Sequence, residues 1–348
     1  MWSPTRKELI ISSVTGMAII AVLLLVPDQP KATYHTNQGR VFGTYYAIQY
    51  ECANDLHDSI RTAFADFDVS MSMFNPASTI SRINSGTDSV ADAYFVQMYR
   101  TAEDVHRLSG GAFDITVAPL VNLWGFGLKN REHVEPQQVD ELLAHVGMER
   151  ISLHQSADGK AAYLHKSDPM VQVDAGAIAK GQSCDMIADL LVRNGCGNYL
   201  VDIGGEIVAK GHNAQGSAWR IGITRPIDDV SGERNEVEAV VQSTDIAMAT
   251  SGNYRNFYYD GEQKRSHTID PRTGYPVQHS LLSATVCSNS CMRADALATA
   301  CMVLGSDEAL RMIEGDTVSA CYLIVAEQAD GDSTMLRTIR SSRWKFDD

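Results

Sequence analysis

Val173-Asp174-Ala175-Gly176-Ala177-Ile178-Ala179-Lys180-Gly181 is the stretch on which the fold turns. Gln172-Val173 closes an apolar approach and reads as the end of a short strand. Ile187, Leu190 and Leu191 fall on one face at helical spacing, which predicts a helix starting near Ile178. Between the two lie only Ala175, Gly176 and Ala177. A strand-to-helix bend without side chains leaves its backbone N–H and C=O groups open to a ligand. Asp174 and Lys180 place one charge of each sign at the bend. A tight turn carrying a surface salt bridge fits the same residues.

The flanking sequence mixes strands and helices without regular βα alternation, which favours an α+β fold of mixed sheets with flanking helices. Upstream, Val41 to Tyr50 reads as the first strand, and Asp55 to Asp68 and Phe95 to Leu108 read as helices, the second stopping at Gly110-Gly111. Ala112 to Gly127 starts strand-like and ends in a Gly/aromatic turn. Pro136 opens a further helix, and Ile151 to Leu153 with Ala161 to Leu164 reads as a hairpin. Downstream, Asn198 to Ala209 is a strand, a Gly204-Gly205 bend and another strand. Asn253 to Tyr259 and Ser266 to Ile269 form a hairpin around Asp260-Gly261, with His267 inside its second strand. Arg293 to Leu304 is a late helix.

A chain of 348 residues, 44% hydrophobic and 21% charged, is long enough to bury a sizeable core. Its net charge of -14, without any Lys/Arg-rich run, excludes a nucleic-acid binder. Arg6 and Lys7 precede an apolar run from Leu9 to Val26, long enough for a marginal membrane span. No Ala-x-Ala site follows it. Residues 1–30 are therefore read as an uncleaved anchor, or second as a cleaved signal, with the remainder carried across the membrane. Residues 31–40 read as a polar linker, and 41–348 as the folded body. Seven cysteines cannot all pair internally, and Cys287 and Cys291 are spaced for a local disulfide.

Two groups carry candidate chemistry. Asp295 and Thr299 stand at i and i+4, so a carboxylate and a hydroxyl share one helix edge beside an apolar face. Such oxygens suit a hard cation such as Mg²⁺, but taken alone the pair is a weak signal, and a helix with a polar edge and Asp295 in its first turn is the plain reading. His267 suits proton transfer near neutral pH, and a hydrogen-bonded strand histidine is the plain alternative.

Motifs then accumulate in one order: Ser72-Met-Phe through Asn84, Gly111-Ala-Phe-Asp-Ile-Thr-Val117, Val173 to Gly181, Asp202-Ile-Gly-Gly-Glu206, Ala249-Thr-Ser-Gly252, His267-Thr-Ile-Asp-Pro-Arg-Thr-Gly274 and Ala294-Asp-Ala-Leu-Ala-Thr299. Together they resemble the FAD:protein FMN transferase family, the ApbE-like flavin transferases, from about Val41 to Val325. The resemblance implies an ApbE-like, T-fold-like body and a Mg²⁺-dependent reaction. FAD, as substrate, is split at its pyrophosphate, FMN passes to a threonine hydroxyl of an acceptor protein, and AMP leaves. It implies metal ligands at Asp295, Thr299 and the backbone oxygen of Ala177. It implies FAD contacts at Phe42, Phe74, Ala112, Phe113, Asp114, Asp174, Lys180 and Ile269, with His267 as the base near the acceptor hydroxyl. Implied acceptors are subunits of membrane redox complexes of the NADH:quinone reductase type, at a bacterial inner membrane with the catalytic body facing the periplasm. Water as acceptor would make the same site an FAD pyrophosphatase, and a site without turnover an exported FAD-binding protein.

Overall fold

A computed structural model of the protein describes residues 33–128, 134–227, 236–254, 256–261, 263–328 and 334–346. The anchor or signal expected at residues 1–30 lies outside them. Among the described residues, no helix is long and apolar enough to cross a membrane.

Eight strands form one antiparallel sheet: β1 (Thr33–Val41), β2 (Thr44–Cys52), then β6 (Tyr199–Ile203), β7 (Glu206–Lys210), β10 (Asp245–Gly252), β13 (Leu281–Ser288), β14 (Ala320–Gln328) and β15 (Thr334–Arg340). β3 (Val90–Ala91), β4 (Ile151–Gln155) and β5 (Ala162–Lys166) make a small second sheet. β8 (Trp219–Thr224) with β9 (Val237–Ser243), and β11 (Phe257–Asp260) with β12 (Gln263–Ser266), are separate two-stranded ribbons.

The helices are α1 (His57–Met71), α2 (Thr79–Ser85), α3 (Ala93–Leu108), α4 (Ala118–Leu123), α5 (Pro136–Leu143), α6 (Ala179–Arg193), α7 (Cys291–Leu304) and α8 (Ser306–Gly315). Ser78, Asp92 and Ser290 cap α2, α3 and α7 by accepting backbone N–H groups. α7 is buried nearly all round, which its run of Ala, Leu, Cys and Met permits. It packs on β10 and β13 and against α6. Asp185 of α6 accepts the Cys291 and Met292 N–H groups at 2.9 Å each, tying the start of α7 to α6.

Directly opposed residues of an antiparallel pair share a face of the sheet. Val201 and Val208, then Ile203 and Glu206, are opposed on β6 and β7, and these four face the helices. Asp202 and Ile207 are opposed and face the other way, where β8 and β9 cover a second core with Trp219, Ile221 and Val241.

Several expectations change. Residues 33–40, expected as a linker, belong to strand β1 (Thr33–Val41), because its backbone pairs along the whole of β2. Ala112 to Gly127 is not strand-like: it turns and then forms α4, with Pro119 in its first turn. β12 ends at Ser266, so His267 lies just beyond the strand. Cys287 and Cys291 are both free thiols. Cys291 turns into the helix-side core and donates to the Met248 carbonyl at 3.4 Å, whereas Cys287 packs against the core on the other face.

Candidate active site

The bend at 174–178 and the edge of α7 meet in one cleft of about 1140 Å³. Ala177 and Lys180 line it from the α6 side, Asp295 and Thr299 from α7, and His267 and Ile269 from the segment after β12. Phe74, Ala112, Phe113, Asp114 and Asp174 complete the expected set. Phe42 is not among the lining residues. Its ring packs against Phe64 at 5.7 Å and Phe67 at 5.4 Å, because the β1–β2 turn directs it onto α1. The other flat apolar candidate, Phe74, is 78% exposed at the cleft.

The α6–α7 contact sets the geometry. The Gly181 N–H donates to Asp295 Oδ2 at 3.0 Å, and Asp295 is only 2% exposed. One turn along, Thr299 Oγ1 lies 3.3 Å from Ser251 Oγ of β10. Lys180 forms an ion pair with Glu206, the first residue of β7. Burial works against the Lys180 ammonium, but Asp295 and Glu206 hold its pKa above the ordinary lysine value. Burial raises the Glu206 carboxyl above its usual range, against the pull of Lys180. Glu206 Oε1 meets Lys180, while Oε2 is buried without a protein partner. A desolvated carboxylate oxygen without a donor is costly, and a bound ligand can relieve it.

At the bend, Asp174 Oδ1 accepts the Gly176 N–H at 2.6 Å, and burial raises its carboxyl pKa. Asp114 is also raised by burial, against hydrogen bonds from Thr116 and the Met148 N–H. Burial lowers the His267 pKa below the usual histidine value, and Lys180 pushes in the same direction. His267 Nδ1 lies 3.1 Å from the Asn256 carbonyl oxygen. A carbonyl only accepts, so Nδ1 carries the proton and Nε2 holds the lone pair.

The metal-ligand candidates are all oxygens. Among the described residues, no group of three or more His, Cys, Asp and Glu is placed to hold an ion. A cation at Asp295 would therefore draw on hydroxyl, backbone and ligand oxygens. Glu206 closes the Asp202-Ile-Gly-Gly-Glu206 motif, but the sequence alone attaches no role to it. A charged residue opening a buried strand straight after Gly204-Gly205 was the available signal. Ser251 and Asn256 carried none, because ordinary polar residues become informative only once their neighbours are known.

The ApbE family profile matches residues 42–323. The chain is 36% identical over 326 residues to the FAD:protein FMN transferase of Haemophilus influenzae, covering 90% of this chain and 92% of that one. It is 32% identical over 341 residues to that of Escherichia coli K12, covering 92% and 94%. The solved structure of the flavin transferase ApbE from Vibrio cholerae superposes with a TM-score of 0.77 at 34% identity, over 89% of this chain and 98% of that one. The apo flavinyl transferase ApbE of Pseudomonas stutzeri gives 0.76 at 28% identity, over 90% and 96%. With most of its length matched in sequence and in structure, the chain belongs to the ApbE family.

Proposed function

We propose that this enzyme transfers FMN from FAD to a threonine hydroxyl of an acceptor protein, with Mg²⁺ held by Asp295, Thr299 and the Ala177 backbone oxygen. The observation that carries this reading is the convergence of an oxygen-rich helix edge, the Lys180–Glu206 pair and His267, whose basicity burial lowers, in one cleft. The donor set fits Mg²⁺, which takes few carboxylates and leaves positions for substrate phosphate. When bound, Mg²⁺ supplies charge neutralisation to the pyrophosphate oxygens.

The residues divide the work. Lys180, fixed by Glu206, presents an ammonium to the phosphates. Gly176 and Ala177 let the pyrophosphate approach the backbone closely. Phe74 offers its exposed ring to the isoalloxazine or adenine. Asp174 binds a ribose or base edge, since repulsion bars a carboxylate from phosphate. His267 Nε2 takes the proton of the acceptor hydroxyl. The threonine Oγ then bonds to the FMN phosphorus, the bond to the AMP phosphate breaks, and AMP departs with the electron pair.

The acceptors are subunits of membrane redox complexes of the NADH:quinone reductase type, reached from a periplasmic body anchored through residues 1–30. The test combines the full chain, FAD, Mg²⁺ and a purified apo-subunit of such a complex. A fluorescent acceptor band on a denaturing gel, with one AMP released per label, is expected. Free FMN with an unlabelled acceptor makes the enzyme a pyrophosphatase, and intact FAD makes it a binding protein. Recovery of the full chain in the soluble fraction refutes the anchor.

A further inference from the structure

The cleft extends past the Gly204-Gly205 turn into a second lobe, on the sheet face away from the helices. Arg220, Ile221, Gly222 and Thr224 of β8 line that lobe, whereas no residue of β9 does. Side chains alternate along a strand, so a wall containing both alternations follows the strand's edge and not one of its faces. That edge is open: among the described residues, β9 is the only strand paired with β8. In an antiparallel ladder every second residue turns its N–H and C=O away from the partner. The free edge of β8 thus offers a row of backbone donors and acceptors to whatever enters.

Charge narrows the occupant. Among the described residues, two Lys or Arg side chains line the cleft, Lys180 and Arg220, and Lys180 is already paired with Glu206. Arg220 is exposed, and its guanidinium makes no hydrogen bond or ion pair with any described residue. A guanidinium standing alone at a strand edge complements a carboxylate on an incoming chain.

We infer that the threonine-bearing segment of the acceptor binds in extended form as an added strand on β8, with an acidic side chain of that segment on Arg220. The inference rests on the transferase reading, and it supplies the second substrate's place. The two lobes meet over a turn without side chains, so a hydroxyl carried along β8 can enter the phosphate lobe. Strand addition draws affinity from the main chain and takes selectivity from a few side chains, which suits an enzyme acting on a short segment of a larger protein.

The test compares the full-length wild type with Arg220→Glu, using the apo-subunit labelled in the transfer assay. FAD affinity is measured separately by flavin fluorescence without acceptor. The expected result is an acceptor KM raised about tenfold in Arg220→Glu, with FAD affinity within about twofold of wild type. Weakened FAD binding with an unchanged acceptor KM assigns the lobe to the nucleotide and overturns the proposal, as does no change in either. Hydrogen exchange supplies an independent reading. The outward β8 amides should slow when acceptor is added and not when FAD alone is added, and the reverse pattern overturns the proposal. A wild type that labels no acceptor refutes the transferase reading itself. A wild type that labels while Arg220→Glu behaves identically refutes only the docking site.

Discussion

The backbone N–H of Gly181 and the carboxylate of Asp295 are joined at 3.0 Å, which fixes the first turn of α6 against the middle of the site edge on α7. A Cβ at Gly181 would lie 2.3 Å from the Cys291 carbonyl oxygen and 2.8 Å from Asp295 Cβ. Neither neighbour is a flexible side-chain end. Gly181→Ala should therefore destabilise the fold by about 1–3 kcal/mol. It should also weaken Mn²⁺ binding, because Asp295 must shift. Urea unfolding and calorimetric Mn²⁺ titration read the two effects, and an unchanged stability would show that the helices separate at little cost.

Asp295→Asn keeps the side chain's size and an acceptor for the Gly181 N–H, but removes the charge. The fold should survive, with its unfolding midpoint near that of the wild type. Divalent binding should disappear from the calorimeter. Loss of several kcal/mol of phosphate-charge stabilisation lowers FAD cleavage by roughly a thousandfold. EDTA should bring the wild type to the same level, and Mg²⁺ should restore the wild type alone. Wild-type activity in Asp295→Asn would remove this residue from the metal site.

As the proposed base, His267 should set the pH dependence of transfer. Burial holds its pKa below the ordinary histidine value of about 6.5. The neutral form is the base, so the rate rises with pH as that form is populated. The acid limb of kcat/KM for transfer should then lie below pH 6.5, with a plateau at neutrality. His267→Gln should lower transfer by roughly 10²–10⁴-fold and leave FAD affinity unchanged. An acid limb that persists unaltered in that variant belongs to another group.

Phe42 and Phe74 should separate cleanly. Phe42 packs between Phe64 and Phe67, so Phe42→Ala should cost up to about 3–5 kcal/mol of stability, less to the extent that its ring stays exposed, with little direct effect on FAD binding. Phe74 is exposed at the cleft, so Phe74→Ala should leave stability within about 0.5 kcal/mol. It should weaken FAD binding by about 0.5–1.5 kcal/mol. Thermal unfolding and fluorescence titration of both variants check the pair, and the opposite assignment would move the ring site to the β1–β2 turn.

Local rules carried far where neighbours in sequence are neighbours in space. The small-residue bend before α6, the proline opening α5 and the Gly204-Gly205 hairpin were all legible, because backbone sterics and helical or strand periodicity act over a few residues. The i, i+4 spacing put Asp295 and Thr299 on one edge, and motif order put the cleft residues in one family. Thr33–Val41 was misread because a polar edge strand looks like a linker until its partner is known. That the Phe42 ring packs on Phe64 and Phe67, outside the residues lining the cleft, was not legible, because sequence shows an aromatic ring but not the direction a turn gives it.

The sequence by itself determined the elements, the oxygen-rich helix edge and the family, since each depends on residue type and spacing along the chain. Only the tertiary structure decided that Glu206 holds Lys180, that Gly181 anchors Asp295, and that, among the described residues, β9 alone pairs with β8 and leaves its other edge open beside Arg220. Those relationships join residues far apart in the chain. They exist because strand register sends Glu206 to one face of the sheet and Asp202 to the other, and register is fixed by burial across the whole core, not by any local stretch.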